Sequence, residues 1–279
     1  MVRAGVAAGG LRFGLAAESR VASHESLGRH EPLGRIGLQL YTLRDEMRKD
    51  VSATLQRVAR IGYKEVEFAG YFGQSPKDIR ALLDANGLTS PSAHSADFPT
   101  MRTRWPQALE DAQMMGQRFV VCASLPRDES QTADDYKRVA AFLNQKGGEA
   151  KQSGITLGYH NHDSEFKPLG DTIGYDELMA ECDPKLVQMQ LDLFWIVNAG
   201  KDPLAYFARY PGHFFSVHVK DMDGAGKMAD VGAGQLPFGT YLAAAKKAGV
   251  TYQFVEHDTP ADPWASVTAS YEYLRNLKY

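Results

Sequence analysis

The chain has 279 residues, 44% hydrophobic and 23% charged, which is enough apolar material for one large core and too much for intrinsic disorder. A formal charge of -3 gives no electrostatic drive toward nucleic acid, whose binders carry a basic surplus, so a small neutral or anionic ligand fits better. The two cysteines, Cys122 and Cys182, sit far apart in or beside apolar segments, which argues against a disulfide framework or cysteine zinc site and predicts buried thiols.

Residues 1–34 are rich in Ala and Gly and carry Arg3 near the start. The weakly apolar stretch is interrupted by Arg12, so it resembles the tail of a twin-arginine export signal, with a disordered N-terminal extension as the other reading. The first implies a periplasmic protein and the second a cytoplasmic one. No later run approaches the roughly eighteen apolar residues of a membrane span, so no membrane partner is expected.

From Arg35 to Tyr279 short apolar runs alternate with longer amphipathic stretches, the pattern of repeated βα units around a parallel sheet. The first strand is IGLQLY (36–41), and apolar Val51, Leu55, Val58 and Ile61 at helical spacing predict a helix over 51–61. KEVEFAG forms the second strand, followed by a helix to Asn86 that opens on Ser75 and Pro76 and stops before Gly87. SPSAHS is the third strand, then a helix around 105–115, and RFVVCA the fourth.

A long helix over about 132–153 leads through Gly154 into a fifth strand, ITLGYHNHD, and a short helix over 175–181 precedes a sixth, VQMQLD. The helix 203–210 is paired with the strand FFSVHV, the helix 238–248 with YQFVEH, and a helix over 263–277 closes the chain. Eight strands and eight helices predict a single-domain (β/α)8 TIM barrel. An open doubly wound sheet is the alternative, but no GxGxxG follows the first strand.

In such a barrel the C-terminal strand ends build the active site, so the polar residues there are candidates by position: Gln39, Glu67, His94, His160, His162, Asp192, His218, Lys220 and Glu256. Alternation along a strand points His160 and His162 one way, and likewise His218 and Lys220. Two inward imidazoles on neighbouring strands, flanked by two carboxylates, suit one divalent manganese, zinc, cobalt or iron ion. Asp221, Asp223 and Asp258 are expected to shape loops, and Phe194 with Trp195 to form either an aromatic wall for a sugar face or core packing.

The ordered set QLYTLRD, YKEVEFAGYFG, SAHS, YHNHD, LDLFWIVNAGKDP, VHVKDMD, VGAGQLPF and FVEHD resembles the sugar phosphate isomerase/epimerase family of xylose-isomerase-like TIM barrels. The resemblance implies one cation held by His160, Asp192, His218 and Glu256, and a small carbohydrate substrate, with homo-oligomerisation open. On that chemistry Glu256 is read as the base that removes a proton beside a carbonyl, and Lys220 or His162 as the acid that protonates a leaving group. Gln39, Glu67 and His94 would hold hydroxyls, with Trp195 against the sugar face.

The departure is His160, where keto-sugar epimerases of this family carry a glutamate that is both ligand and base. His162 is the alternative ligand. The YHNHD variant also resembles members acting on 3-keto glycosides, and inosose dehydratases, so elimination stands beside epimerisation. A multi-zinc phosphodiesterase resembling endonuclease IV would need more His and Glu ligands, and a silent sugar-binding protein could lack the cation.

Overall fold

The first strand is shorter than its apolar run, because the Gln39 side chain accepts the Tyr41 N–H at 3.1 Å and turns the chain into a 3-10 turn over Leu40–Leu43. The computed structural model describes residues 34–278; the expectation placed on the N-terminal segment lies outside them. Eight parallel strands follow in order: β1 (Gly37–Gln39), β2 (Glu65–Ala69), β3 (Thr89–His94) and β4 (Phe119–Cys122), then β5 (Thr156–His160), β6 (Val187–Asp192), β7 (Phe214–Val219) and β8 (Tyr252–Val255). They close into one barrel, β1 pairing with both β2 and β8.

Helices cross between the strands where the periodicity places them, and their ends follow local chemistry. Ser75 caps the helix Pro76–Asn86 by accepting the Asp78 N–H, and Gly87 ends it in the left-handed region at φ 62°. Thr132 and Asp135 form a reciprocal capping box at the start of the helix Ala133–Gln152. Short helices at Arg44–Lys49, Phe98–Thr103 and Leu193–Asn198 add to the eight expected, all on the loops that follow strands.

The barrel interior is layered. At the bottom, the Phe119 and Phe215 rings stack 4.0 Å apart, with Val121 and Tyr252 against them. Phe215 is the extra residue of an irregularity between β6 and β7, where the register moves from Met189 opposite Phe214 to Gln190 opposite Ser216. Gly37 is required beside this floor, since a Cβ there would meet the Phe254 ring at 2.4 Å.

Above the floor lies a polar layer of Gln39, Glu67, Ser92, Gln190 and Ser216, each fully buried. Glu67 gathers it: its carboxylate accepts from Gln39 Nε2 at 2.8 Å, Ser92 Oγ at 2.6 Å and Gln190 Nε2 at 2.8 Å. A buried carboxylate needs this many donors to offset its lost hydration.

After β7, Asp221 is buried and accepts four backbone N–H groups, those of Met222, Gly232, Gly234 and Leu236, at 2.8 to 3.1 Å. One carboxylate therefore folds the 230–238 loop. Asp221→Ala would leave four backbone donors without their partner, that of Leu236 buried and the other three part-buried, and should cost about 2 kcal/mol, read as a fall in Tm. An unchanged Tm would show that other contacts hold the loop.

Candidate metal centre and cavity

The strand ends bring His160, Asp192, His218 and Glu256 together: each offers one ligand atom, and all these atoms lie within 4.8 Å of one another. They come from β5, β6 and β7 and from the residue after β8, neighbours around the barrel. His160 Nε2 is 3.2 Å from Asp192 Oδ2, and His218 Nδ1 is 3.7 Å from that oxygen and 2.7 Å from Glu256 Oε2. His218 Nδ1 and Glu256 Oε2 are buried, yet neither makes a well-aligned hydrogen bond despite their closeness.

Two buried ligand atoms without an aligned hydrogen bond, within a set of two imidazoles and two carboxylates, fit a first-row divalent cation. His218 is oriented from below, its Nε2 2.7 Å from Glu256's counterpart in the lower layer, Glu67 Oε2. This is the outer partner that fixes which imidazole nitrogen faces a metal. Burial, then the neighbouring His218, pushes the His160 pKa down to about 3, leaving a neutral imidazole able to donate a lone pair at neutral pH.

Lys220 enters the same cluster. It is buried at 1% exposure, and its Nζ lies 3.0 Å from Asp192 Oδ2, 3.0 Å from Glu256 Oε2 and 2.9 Å from Asp258 Oδ1. Burial disfavours its charge, but Asp192, Glu256 and Asp258 outweigh that and raise its pKa. In return, burial would raise the Glu256 pKa, while Lys220 and His218 hold it well below the ordinary carboxylate range.

A cavity of about 640 Å³ opens above the cluster, with His160, Lys220 and Glu256 in its floor and Tyr41, His162 and Trp195 in its walls. The His162 ring packs edge-on to His160, centroids 4.9 Å apart, and sits 5.6 Å from Trp195. Strand alternation does not orient it, because β5 stops at His160 and His162 belongs to the following loop. Glu165 pins that loop, accepting the His162 N–H at 3.2 Å and the Ser164 hydroxyl at 2.7 Å.

Gln39 and Glu67 do not reach the cavity. Both are 0% exposed in the layer beneath, so the expectation that they hold sugar hydroxyls gives way to a supporting role under His218. His94 does line the cavity, with its Nε2 2.7 Å from Gln190 Oε1 and its ring stacked on His218. Gln190 was not singled out from the sequence, although it lies two residues before Asp192 on the same strand face. Asn161 was missed too: its Oδ1 accepts the Asp192 N–H at 3.0 Å and ties β5 to β6 at the cluster.

Fold and cluster together define a parallel (β/α)8 barrel with a candidate cation site at the C-terminal ends of its strands. The sequence matches the xylose isomerase-like TIM barrel family over residues 55–277, and the chain belongs to that family. It is 28% identical to a sugar phosphate isomerase/epimerase structure from Parabacteroides distasonis, with a TM-score of 0.77 over 87% of this chain and 94% of that one. It is 26% identical over 198 residues to an inosose dehydratase of Lacticaseibacillus casei, a match covering 63% of this chain and 66% of that protein, just under two thirds of its length. The E. coli 3-keto-D-glucoside 4-epimerase, at 18% identity over 88% of this chain and all of that one, has a TM-score of 0.69 and shares the fold.

Proposed function

We propose that this protein is a metal-dependent isomerase or epimerase of a keto-sugar or sugar derivative, working by removal of the proton next to a carbonyl. The observation that carries the reading is the convergence of His160, Asp192, His218 and Glu256 beneath an open cavity. A divalent manganese, zinc, cobalt or iron ion held by those four would supply positive charge beside the oxygen that becomes negative.

The rest is done by the chain itself. Glu256 reaches the cavity from the end of β8 and takes the carbon-bound proton. Lys220, held charged by its carboxylates, offers a second positive charge to the enediolate and can return a proton. His162, at the cavity wall beside Trp195, is the other proton donor. Trp195 provides an apolar face against which a sugar ring can lie, and His94 a polar edge for its hydroxyls. The small net negative charge of the chain supports a small-molecule substrate over nucleic acid.

A second reading is elimination, in which the enediolate expels a β-hydroxyl or glycosidic group that Lys220 or His162 protonates. It is favoured by the residue at position 160: a histidine stands where the resemblance to keto-sugar epimerases implies a glutamate as second base. The similarity to inosose dehydratase over 198 residues supports it as well.

One experiment tests both. The purified protein with Mn2+ is incubated in D2O with 3-keto glycosides, ketohexoses and inososes, and NMR follows the products. Deuterium beside the carbonyl, lost on EDTA treatment and regained with Mn2+, is the expected result; an epimer or an unsaturated product assigns the branch. Exchange that survives complete metal removal would overturn the metal-dependent mechanism.

A further inference from the structure

The Lys220 ammonium occupies an unusual position for a residue beside a cation site. Of its three carboxylate contacts, two are Asp192 Oδ2 and Glu256 Oε2, the oxygens that also face His160 Nε2 and His218 Nδ1. Those oxygens would be shared between an ammonium and any cation bound by the four-residue set. Two positive charges a few ångströms apart in a site screened by little water repel strongly, so both cannot hold the same pair of oxygens at full strength.

The third contact differs from the other two. Asp258 Oδ1 lies 2.9 Å from Nζ, but Asp258 is outside the four-residue cluster and its side chain is 22% exposed, against 0% for Asp192 and 6% for Glu256. It stands toward the rim, where it lines both the central cavity and a neighbouring recess shared with Trp195 and Thr259. The Trp195 ring offers its face 5.6 Å from Nζ, a further favourable surface for an ammonium.

We propose that Lys220 is the built-in counter-cation of Asp192 and Glu256, and that a divalent metal enters the cluster by exchange with it, Asp258 retaining the displaced ammonium. The inference rests on the cation-binding reading above and assigns Asp258 as a positioning residue for Lys220. Charge balance is consistent with it: the three carboxylates in contact with Lys220 exceed its single positive charge. Buried charges are tolerated when such balance is kept and are costly when it is broken. The exchange also leaves the ammonium at the cavity rim, where a substrate oxygen can meet it.

The test is calorimetric titration of Mn2+ into the full-length protein at neutral pH, for wild type, Lys220→Met, Asp258→Asn and the double variant, with thermal melts in EDTA alongside. Lys220→Met is expected to bind Mn2+ roughly tenfold or more tightly than wild type, because no ammonium competes, and to melt at lower temperature in EDTA, because the carboxylates lose their counter-charge. Asp258→Asn should bind Mn2+ more weakly, and that loss should largely vanish in the Lys220→Met background if Asp258 acts through Lys220.

Mn2+ affinity in Lys220→Met equal to or below that of wild type overturns the exchange. A loss from Asp258→Asn that persists unchanged in the double variant overturns the role given to Asp258. Should Lys220→Met fail to fold, Lys220→Gln makes the same comparison. Wild type that takes up no Mn2+ would sink the cation-binding reading itself and the exchange with it, whereas Mn2+ uptake with no gain in Lys220→Met removes only the exchange.

Discussion

Glu256→Gln is expected to lower solvent deuterium exchange beside the substrate carbonyl by about a thousandfold, within the 10²–10⁴ range of a lost general base. The amide keeps the size of the carboxylate and fits the same space after β8, so circular dichroism and gel filtration should match wild type. Glutamine has no basic lone pair at neutral pH, and it also removes one negative charge facing His218 at 2.7 Å and Lys220 at 3.0 Å. Metal content measured on the same sample separates the two losses. If Mn2+ saturates the variant while exchange stays abolished, Glu256 is the base; exchange at the wild-type rate would reject it.

His160→Ala and His162→Ala should part company in metal affinity. His160 Nε2 lies within the buried cluster, 3.2 Å from Asp192 Oδ2, whereas His162 reaches the cavity from a loop held by Glu165. Removing a ligand should cost more than the roughly 10- to 100-fold typical of an outer partner, while His162→Ala should stay below that and act on turnover instead. Mn2+ titration of both variants gives the order directly. A larger affinity loss in His162→Ala would transfer the ligand role to it and leave His160 as a supporting imidazole.

The barrel was legible because its signals are local and repeated. Apolar runs at βα spacing and Ser75 with Pro76 each report their own element without reference to a neighbour. Strand alternation also paired His160 with His162 and His218 with Lys220, although the strands end at His160 and Val219, before the second member of each pair. What it could not convey was depth: Gln39 and Glu67 face inward as His94 does, but they sit one layer lower, closed off by the rings and imidazoles above. Depth depends on the stagger between strands, and the irregularity at Phe215 changes that stagger by a residue. The 3-10 turn after Gln39 was hidden for a similar reason, since a side-chain cap overrides the strand preference of Leu40 and Tyr41. The carboxylate cage around Lys220 joins residues from three strand ends, and no spacing within one segment announces it.

The stacked Phe119 and Phe215 rings, with Tyr252 beside them, have a kinetic consequence. Among the described residues they close the end of the barrel interior opposite the cavity, so a small molecule reaches the His160–Glu256 cluster from the C-terminal side of the strands. A compound lodged between Tyr41 and Trp195 would then stand over that cluster and hinder both the entry and the exit of a ligand there.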